Sequence, residues 1–332
     1  MKSLLSFGEQ VKTEEAQLII LCSGSNTITA KKDSTTKTAY GSKNTFYFAG
    51  LTVGDWTITA SNGTYTTSKT VSVTANTLNE VIQISYNMIP EFTYTGNYEI
   101  LNDDNIGITH SNGNWKIRFL TSGTLNFTSL NGATNGIDVF LVGGGGGGNI
   151  RGGGGGGYTT TSKNLKIATN VNYSIVIGSG GNVRSTGGNS SIFDKSAAGG
   201  KSGNNPAGAG GSGGGGRSDN GGNGGDGGSD GSNGKDSYGK GGTGQGITTR
   251  EFGESTGRLY AGGGGGGASG SGNGGAGGEG GGGHGGGEDP YENTSVETTS
   301  TSGKPNTGGG GGAGLTERAG GSGIVVIRNA RS

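Results

Sequence analysis

Short alternations of apolar and polar residues occupy residues 15–87, separated by Gly, Asn and Ser. A two-residue period predicts β-strands with one buried face. Trp56, Ile58 and Ala60 share one face of such a strand. The predicted strands are 17–22, 26–30, 44–48, 55–60, 64–73 and 79–86. The pattern therefore predicts a small β-sandwich module over residues 17–87, preceded by an N-terminal segment at 1–16.

Two nearly continuous apolar runs, at 137–142 and 324–328, differ from these alternating strands. Such runs predict strands that are covered on both faces. The terminal run cannot be stable alone, so we expect it to pair in the same sheet as 137–142. Further strands are predicted at 114–120, 124–129, 158–161, 165–168 and 173–177. Together they define a linker at 88–95, a second β-sandwich at 96–198 and 324–332, and an insertion at 199–323.

Glycine makes up more than a third of the residues from 143 to 332, which excludes an ordinary side-chain core in that region. Residues 221–229 read GGNGGDGGS and residues 274–282 read GGAGGEGGG, a period of three. Three residues per turn is the repeat of the polyproline II helix, whose backbone groups have no partners inside the helix. Glycine helices lack Cβ atoms and can hydrogen-bond sideways. We therefore predict packed polyglycine II helices in the insertion. Collagen is excluded because the chain has four prolines.

Several segments resemble known proteins, namely residues 140–148, 152–158, 173–181 and 320–328. They resemble the glycine-rich domain of bacteriophage and prophage tail proteins. This domain is similar to the tip adhesins of T-even phage long tail fibres, in which loops on a polyglycine II sandwich bind host receptors. It is also similar to the glycine-rich domain inserted in a tumour-necrosis-factor-like sandwich in anaplastic lymphoma kinase receptors. Residues 54–60 and 81–86 resemble the small β-modules near the start of phage tail proteins.

The pattern and the resemblance together predict an all-β protein with essentially no α-helix. The first module is expected to be an immunoglobulin-like or prealbumin-like sandwich. The resemblance implies that the second is a jelly-roll or tumour-necrosis-factor-like sandwich, which carries the inserted polyglycine II bundle. It is also compatible with a homotrimer.

Charge and hydropathy limit the partners. The 24 basic and 24 acidic residues give a formal net charge of zero, which does not favour nucleic acid or an anionic membrane. No apolar stretch reaches 18 residues, and the apolar run near Met1 is too short for a secretory signal. We therefore expect no nucleic-acid partner, no membrane insertion, and assembly into a virion in the host cytoplasm.

Few residues are suited to catalysis or metal binding. His110 and His284 are the two histidines, so a hydrolytic triad or a zinc site is not indicated, and we expect no enzymatic activity and no cofactor. A calcium ion near Asp226 or Asp103 is an alternative. Residues 221–226 match the start of a calcium-binding nonapeptide, but the large apolar residue expected at its eighth position is Gly228. Residues 102–105 read NDDN, which suits a single calcium ion but is also typical of a solvated turn.

Recognition is expected where larger side chains interrupt the glycine, because aromatic and charged groups together suit sugars or a protein surface. Three loops qualify, at 235–240, 247–260 and 288–306. The candidate receptor-binding residues are Tyr238, Arg250, Phe252, Arg258, Tyr260, Asp289 and Tyr291. The alternative for each aromatic residue is that it packs back on the glycine layer and shields it.

Three functions remain open from the sequence. The first is a phage tail-fibre or tail-tip adhesin that binds a host surface glycan or protein through these loops, with the N-terminal module attached to other virion proteins. The second is a purely structural fibre, spacer or capsid decoration. The third is a secreted calcium-dependent glycine-rich module.

Overall fold

The structure is a computed structural model of the 332-residue chain. The structure describes residues 15–22, 27–42, 44–62, 66–75, 77, 80–84, 86–111, 113–131, 133, 136–204, 206–216, 225–227, 233–234, 248–269, 274–288, 300–314 and 318–331. The chain forms two compact units. Unit 1 comprises residues 1–89 and 110–113, and unit 2 comprises residues 90–109 and 114–332.

Unit 1 is built from two four-stranded sheets. Its strands are β1 (Glu15–Leu21), β2 (Thr27–Lys32), β3 (Thr35–Thr38), β4 (Tyr40–Ser42), β5 (Thr45–Thr52), β6 (Gly54–Ser61), β7 (Thr66–Val73) and β8 (Glu80–Gln83). The sheet orders are β4-β5-β1-β8 and β3-β2-β6-β7. All six predicted strands occur. β3 and β4 were not predicted, because their Thr- and Ser-rich sequences lack an apolar alternation.

The core of unit 1 confirms the predicted alternation. Trp56, Ile58 and Ala60 of β6 are all buried, and Leu18 and Ile20 of β1 contribute to the same cluster. The polar residues between them are half-buried or exposed, as expected for sheets with one covered face. The unit is therefore held together by the apolar half of each alternating strand.

Unit 2 contains a five-stranded and a three-stranded sheet. Its strands are β9 (Glu91–Tyr94), β10 (Tyr98–Leu101), β11 (Lys116–Phe119), β12 (Gly123–Ser129), β13 (Ile137–Val142), β14 (Thr159–Leu165), β15 (Asn172–Ile175), β16 (Ser190–Ile192), β17 (Lys195–Ala197), β18 (Ala268–Ser269), β19 (Gly287–Glu288) and β20 (Ile324–Asn329). The two larger sheets have the orders β10-β11-β20-β13-β14 and β15-β12-β9. In the described part of the chain, the helical segment is a single 3₁₀ turn at Glu251–Gly253.

The C-terminal strand lies at the centre of the five-stranded sheet. β20 pairs antiparallel with β13 on one side and with β11 on the other. This confirms the prediction that the terminal apolar run returns to the sheet of Ile137–Val142. One expectation was wrong: residues 88–95 are not a linker throughout, because β9 lies within them and pairs with β12.

The two faces of the five-stranded sheet are covered differently. On one face, Phe119 of β11 contacts the ring of Tyr94 from the three-stranded sheet, with centroids 4.7 Å apart. On the other face, Phe140 and Val326 pack against Phe252 and Tyr260 of the insertion. The glycine-rich insertion therefore supplies part of the core of the sandwich that carries it.

The glycine runs form laterally hydrogen-bonded helices with a period of three. Along residues 143–148, successive amides donate to three different segments, and every third amide returns to the same segment. Gly145 and Gly148, for example, donate to the carbonyl oxygens of Gly321 and Arg318. The acceptor segments are 155–158, 185–188 and 318–321, and the carbonyl groups of the run accept from 181–184, 200–203 and Gly311. This is the hydrogen-bonding pattern of polyglycine II, as predicted.

The bundle extends beyond the predicted insertion at 199–323. Residues 143–148 and 152–157, which were assigned to the second sandwich, both lie inside it and are largely buried. The reason is steric, because a helix hydrogen-bonded on several sides has no room for Cβ atoms. A Cβ on Gly146 would lie 2.0 Å from the carbonyl oxygen of Lys201.

Candidate binding site

Of the three predicted recognition loops, the structure largely describes the side chains of the one at 247–260, from residue 248 onward. Tyr238, Asp289 and Tyr291 lie outside the described residues. Arg258 is exposed and Arg250 is half-buried, with its guanidinium donating to the carbonyl oxygen of Gly257.

Two predicted receptor-binding residues of this loop are core residues instead. Phe252 is 2% exposed and Tyr260 is 0% exposed. Their ring centroids lie 6.0 Å and 5.4 Å from that of Phe140. Phe252 and Tyr260 therefore face the sheet rather than the surface, because each ring covers apolar side chains of β13 and β20.

Glu251 attaches this loop to the sheet. Its carboxylate accepts hydrogen bonds from Lys116 Nζ at 2.7 Å and from Arg118 Nη2 at 3.0 Å. The Tyr260 hydroxyl donates to the same group at 3.0 Å. All four residues are buried. A buried carboxylate with this many charge-assisted partners fixes the loop over the ends of the strands.

The surroundings of Glu251 shift its pKa and that of Tyr260. Burial favours the neutral form of Glu251, but the positive charges of Arg118 and Lys116 and their hydrogen bonds outweigh it, so the pKa lies below its usual range. Burial raises the pKa of the Tyr260 hydroxyl, and the nearby Glu251 charge adds to the increase. Glu251 is therefore the anion and Tyr260 the neutral donor of this pair.

The turn after Glu251 has strained backbone geometry. Phe252 has φ = 57° and ψ = 15°, in the left-handed region that bulky side chains rarely adopt, and Gly253 follows at φ = 70°. The Phe252 ring lies 4.1 Å from the guanidinium carbon of Arg328, which is also bonded to Asp138 and Glu254. These contacts hold the turn in its unusual conformation.

A polar pocket of ≈ 360 Å³ lies between this loop, the ends of β11 and β20, and the turn at 103–105. Charged side chains from all of these segments line it: Asp103, Lys116, Glu251, Glu254, Arg258, Arg328 and Arg331. Its volume is in the range of small-molecule sites, about 300–1,000 Å³. The pocket can provide both donors and acceptors to a polar ligand.

Of the charged residues that line this pocket, Arg258 was predicted from the sequence as a receptor-binding residue and Asp103 as an alternative calcium ligand, and the others were not predicted. A signal existed in the strands. Asp138 interrupts one apolar run, Arg328 ends the other, and Lys116 alternates with apolar residues. A charge in a buried strand requires a partner, so these residues could have been assigned to one cluster. In the structure, Lys116, Arg328 and Asp138 stand opposite one another on three adjacent strands.

The described residues give no support to a calcium site. No group of three or more His, Cys, Asp or Glu residues that could hold a metal occurs in the part of the chain that the structure describes. Asp103 is bonded to Arg331 at 2.6 Å and to Asn114 at 2.7 Å. Asn105 closes a turn with the carbonyl group of Asn102. The part of the chain that the structure describes also contains no helix that is long and apolar enough to cross a membrane.

The fold and the site define an all-β protein in which a loop between glycine-rich helices lies over a β-sandwich and lines a polar pocket with it. A family model described as a glycine-rich domain matches residues 120–330. The chain belongs to this glycine-rich domain family. The comparison with curated proteins gives no match.

Among solved structures, the chain is similar to the crystal structure of a DUF3823 family protein from Bacteroides ovatus ATCC 8483. The two chains are 13% identical, and the match covers 56% of this chain and 94% of the other. The TM-score is 0.18, so this likeness carries no argument about function.

Proposed function

We propose that this protein is a non-enzymatic virion component that binds a host surface through loops on a polyglycine II scaffold. The observation that carries the proposal is the loop at 248–260. Glu251, Phe252 and Tyr260 attach it to the sheet, and it presents Arg258, Glu254 and Thr256 at an open pocket. Loops on a rigid scaffold are a common place for binding residues. The location in a virion follows from the resemblance to phage tail proteins.

The rigidity of the scaffold supports a role in recognition. A loop that is already ordered loses less conformational entropy when it binds. Glu251 connects this loop to β11 through buried ion pairs, and the more exposed Glu254 connects it to Arg328 of β20, which is itself paired with the buried Asp138 of β13. The exposed residues of the loop are thereby held at fixed positions.

Binding of the labelled full-length protein to bacterial cells tests this proposal. Arg258→Ala, Tyr238→Ala and Tyr291→Ala would each be compared with Arg151→Ala, which changes an exposed arginine outside the pocket. We expect saturable binding that at least one loop variant weakens and that Arg151→Ala leaves unchanged. A folded protein that binds none of the hosts to which virions adsorb would exclude an adhesin. Deletion of 199–323 is not a usable control, because it also removes core residues.

A purely structural role is the second candidate, and an exposed apolar row on unit 1 favours it. Tyr40, Tyr47, Ile19 and Val81 stand side by side across one face of the sheet β4-β5-β1-β8. Tyr40 is 63% exposed and Val81 is 56% exposed. An apolar row of this kind is suited to contact with another protein. Under this proposal, unit 1 attaches to an apolar surface of another virion protein.

Incorporation into particles tests attachment through this row, and binding of the free protein to cells, which a purely structural component lacks, separates the two candidates. The double variant Tyr40→Ser/Tyr47→Ser is expected to reduce incorporation, while leaving binding of the free protein to cells unchanged. Thr35→Ala/Thr36→Ala on the exposed strand β3 is the matched control. Normal incorporation of the tyrosine variant would rule out attachment through this row.

A further inference from the structure

Among the residues that the structure describes, one positive charge of the pocket beside the 248–260 loop has no carboxylate partner. Three of its cations are paired: Lys116 with Glu251 at 2.7 Å, Arg328 with Glu254 at 2.7 Å, and Arg331 with Asp103 at 2.6 Å. The fourth cation is Arg258, which makes no ion pair within the described ranges. Its guanidinium carbon lies 5.3 Å from the ring centroid of Tyr260.

Hydrogen-bond donors remain available beside the same cavity. The Arg258 guanidinium has five N–H donors, and none bonds to another residue among those that the structure describes. Lys116 Nζ has three N–H donors and uses one of them on Glu251. Because both side chains line the pocket, an anion placed between them would gain charge-assisted hydrogen bonds.

Two accessible carboxylates limit the kind of anion. Asp103 and Glu254 line the pocket, and their side chains are 54% and 45% exposed. Their negative charges disfavour a dianion such as a phosphate monoester. The same carboxylates accept hydrogen bonds from hydroxyl groups, and Thr256 and Asn105 add further polar groups. The lining therefore suits a ligand with one negative charge and several hydroxyls.

The wall of the pocket is fixed before any ligand binds. Arg328 is bonded to Asp138 at 3.1 Å, and it lies over the ring of Phe252. A pre-formed wall reduces the ordering cost of binding, which matters for a ligand that makes few contacts.

We propose that this pocket binds the carboxylate-bearing sugar of an acidic surface glycan. The carboxylate lies at Arg258 and Lys116, and the ring hydroxyls face Asp103 and Glu254. This assignment rests on the proposed function, because it names the ligand of the loop that was proposed to contact the host.

Calorimetric titration of the full-length protein tests the assignment with four probes: D-glucuronate, D-galacturonate, D-glucose and inorganic phosphate. We expect saturable binding of at least one uronate, with glucose and phosphate weaker by about tenfold or more. Arg258→Gln is expected to weaken uronate binding by about tenfold or more, while Arg151→Gln leaves it unchanged. The two variants remove the same charge from exposed positions, one beside the pocket and one outside it. Equal thermal unfolding of both variants and the parent chain confirms that the fold is kept.

Three results would overturn the assignment: uronates binding no tighter than glucose, phosphate binding more tightly than both uronates, or Arg258→Gln binding as well as the parent chain. Host-cell binding separates this inference from the proposed function. Cell binding without uronate binding leaves the adhesin proposal standing and rejects an acidic sugar as the ligand of this pocket. Uronate binding without cell binding keeps the ligand assignment and rejects the adhesin.

Discussion

At the scale of single residues, glycine acts here through the absence of a side chain. The amide of Gly146 donates to the carbonyl oxygen of Gly155, and its own carbonyl oxygen accepts from Gly311. Both partners lie on neighbouring helices, so the backbones must approach closely. A helix built this way is stabilised by paired backbone groups rather than by side-chain burial.

Gly146→Ala tests this packing. The added Cβ would lie 2.0 Å from the carbonyl oxygen of Lys201, and neither backbone can move without breaking other hydrogen bonds. We expect a loss of about 3 kcal/mol or more in the free energy of unfolding, at the upper end for overpacked cores. Gly107→Ala is the control, since no atom beyond Gly107 and its two chain neighbours lies within 4 Å of the added Cβ. Denaturant unfolding measures the free energy of unfolding of both variants. Equal stability of the two would contradict the close packing around Gly146.

Glu251→Gln tests the buried ion-pair cluster. The change leaves Lys116 and Arg118 without their shared carboxylate, and losing one member of a buried pair costs roughly 3–5 kcal/mol. The more exposed Glu254→Gln on the same loop is the control and should cost less. Denaturant unfolding at neutral pH gives both values.

The same variant should change how stability depends on pH. The pKa of Glu251 is lowered in the fold, and that of an unfolded glutamate is about 4.3. The contribution of the ionised Glu251 carboxylate to the free energy of unfolding is therefore complete above pH ~4.3 and is lost as the pH falls through the lowered pKa of the folded state. We expect the parent chain to lose more stability on acidification than Glu251→Gln does. Parallel curves for the two proteins would show that Glu251 does not carry this dependence.

At the scale of elements, the order of strands in unit 2 does not follow the order in the chain. β20 follows the insertion in the chain, yet it lies between β11 and β13 in the sheet. β11 and β13 can therefore be joined in one sheet only when the segment that follows the insertion has taken its place between them. The insertion in turn contributes Phe252 and Tyr260 to the face that β13 and β20 share. The packing of β20 and the packing of the insertion therefore stabilise each other.

Hydrogen exchange tests this dependence. We expect the amides of β20 to be protected as strongly as those of β13, because both strands are hydrogen-bonded on two sides. The amides of β10, which pairs on one side with β11, are the internal comparison and should exchange faster. Rapid exchange along β20, as for an ordinary chain terminus, would contradict a central position in the sheet.

At the scale of the whole molecule, the chain contains two units with different sources of stability. Unit 1 has a conventional apolar core between two sheets. Unit 2 adds a glycine bundle whose contacts are backbone hydrogen bonds. Each unit has one buried tryptophan, Trp56 in unit 1 and Trp115 in unit 2.

These two tryptophans allow the units to be followed separately. In the Trp115→Phe variant, the fluorescence of the remaining Trp56 reports the unfolding of unit 1. In the Trp56→Phe variant, the fluorescence of Trp115 reports the unfolding of unit 2. We expect two transitions with different midpoints in denaturant, because the units have separate cores. Circular dichroism on the parent chain should show both transitions. A single transition at one midpoint for all probes would show that the chain unfolds as one cooperative body.

Several elements were predictable from sequence because their signal is local. The apolar alternation of β6 and the continuous runs of β13 and β20 identify these strands directly, and the three-residue glycine repeat indicates laterally paired helices. The short strands β16–β19 carry little apolar pattern, and they form where a partner strand is brought alongside. β9 does alternate, as Glu91-Phe92-Thr93-Tyr94, and it was missed because the segment opens with Met88-Ile89-Pro90, which is typical of a linker.

By itself, the sequence determined the all-β class, the buried terminal strand and the need for backbone pairing among the glycines, since each follows from the spacing of side chains along the chain. Only the tertiary structure decided which residues form the pocket. Lys116, Glu251 and Arg328 are far apart in sequence, and they meet because β20 returns between β11 and β13 while the insertion folds back over them. Side-chain spacing encodes which face of a strand is buried, but long-range pairing decides what covers that face.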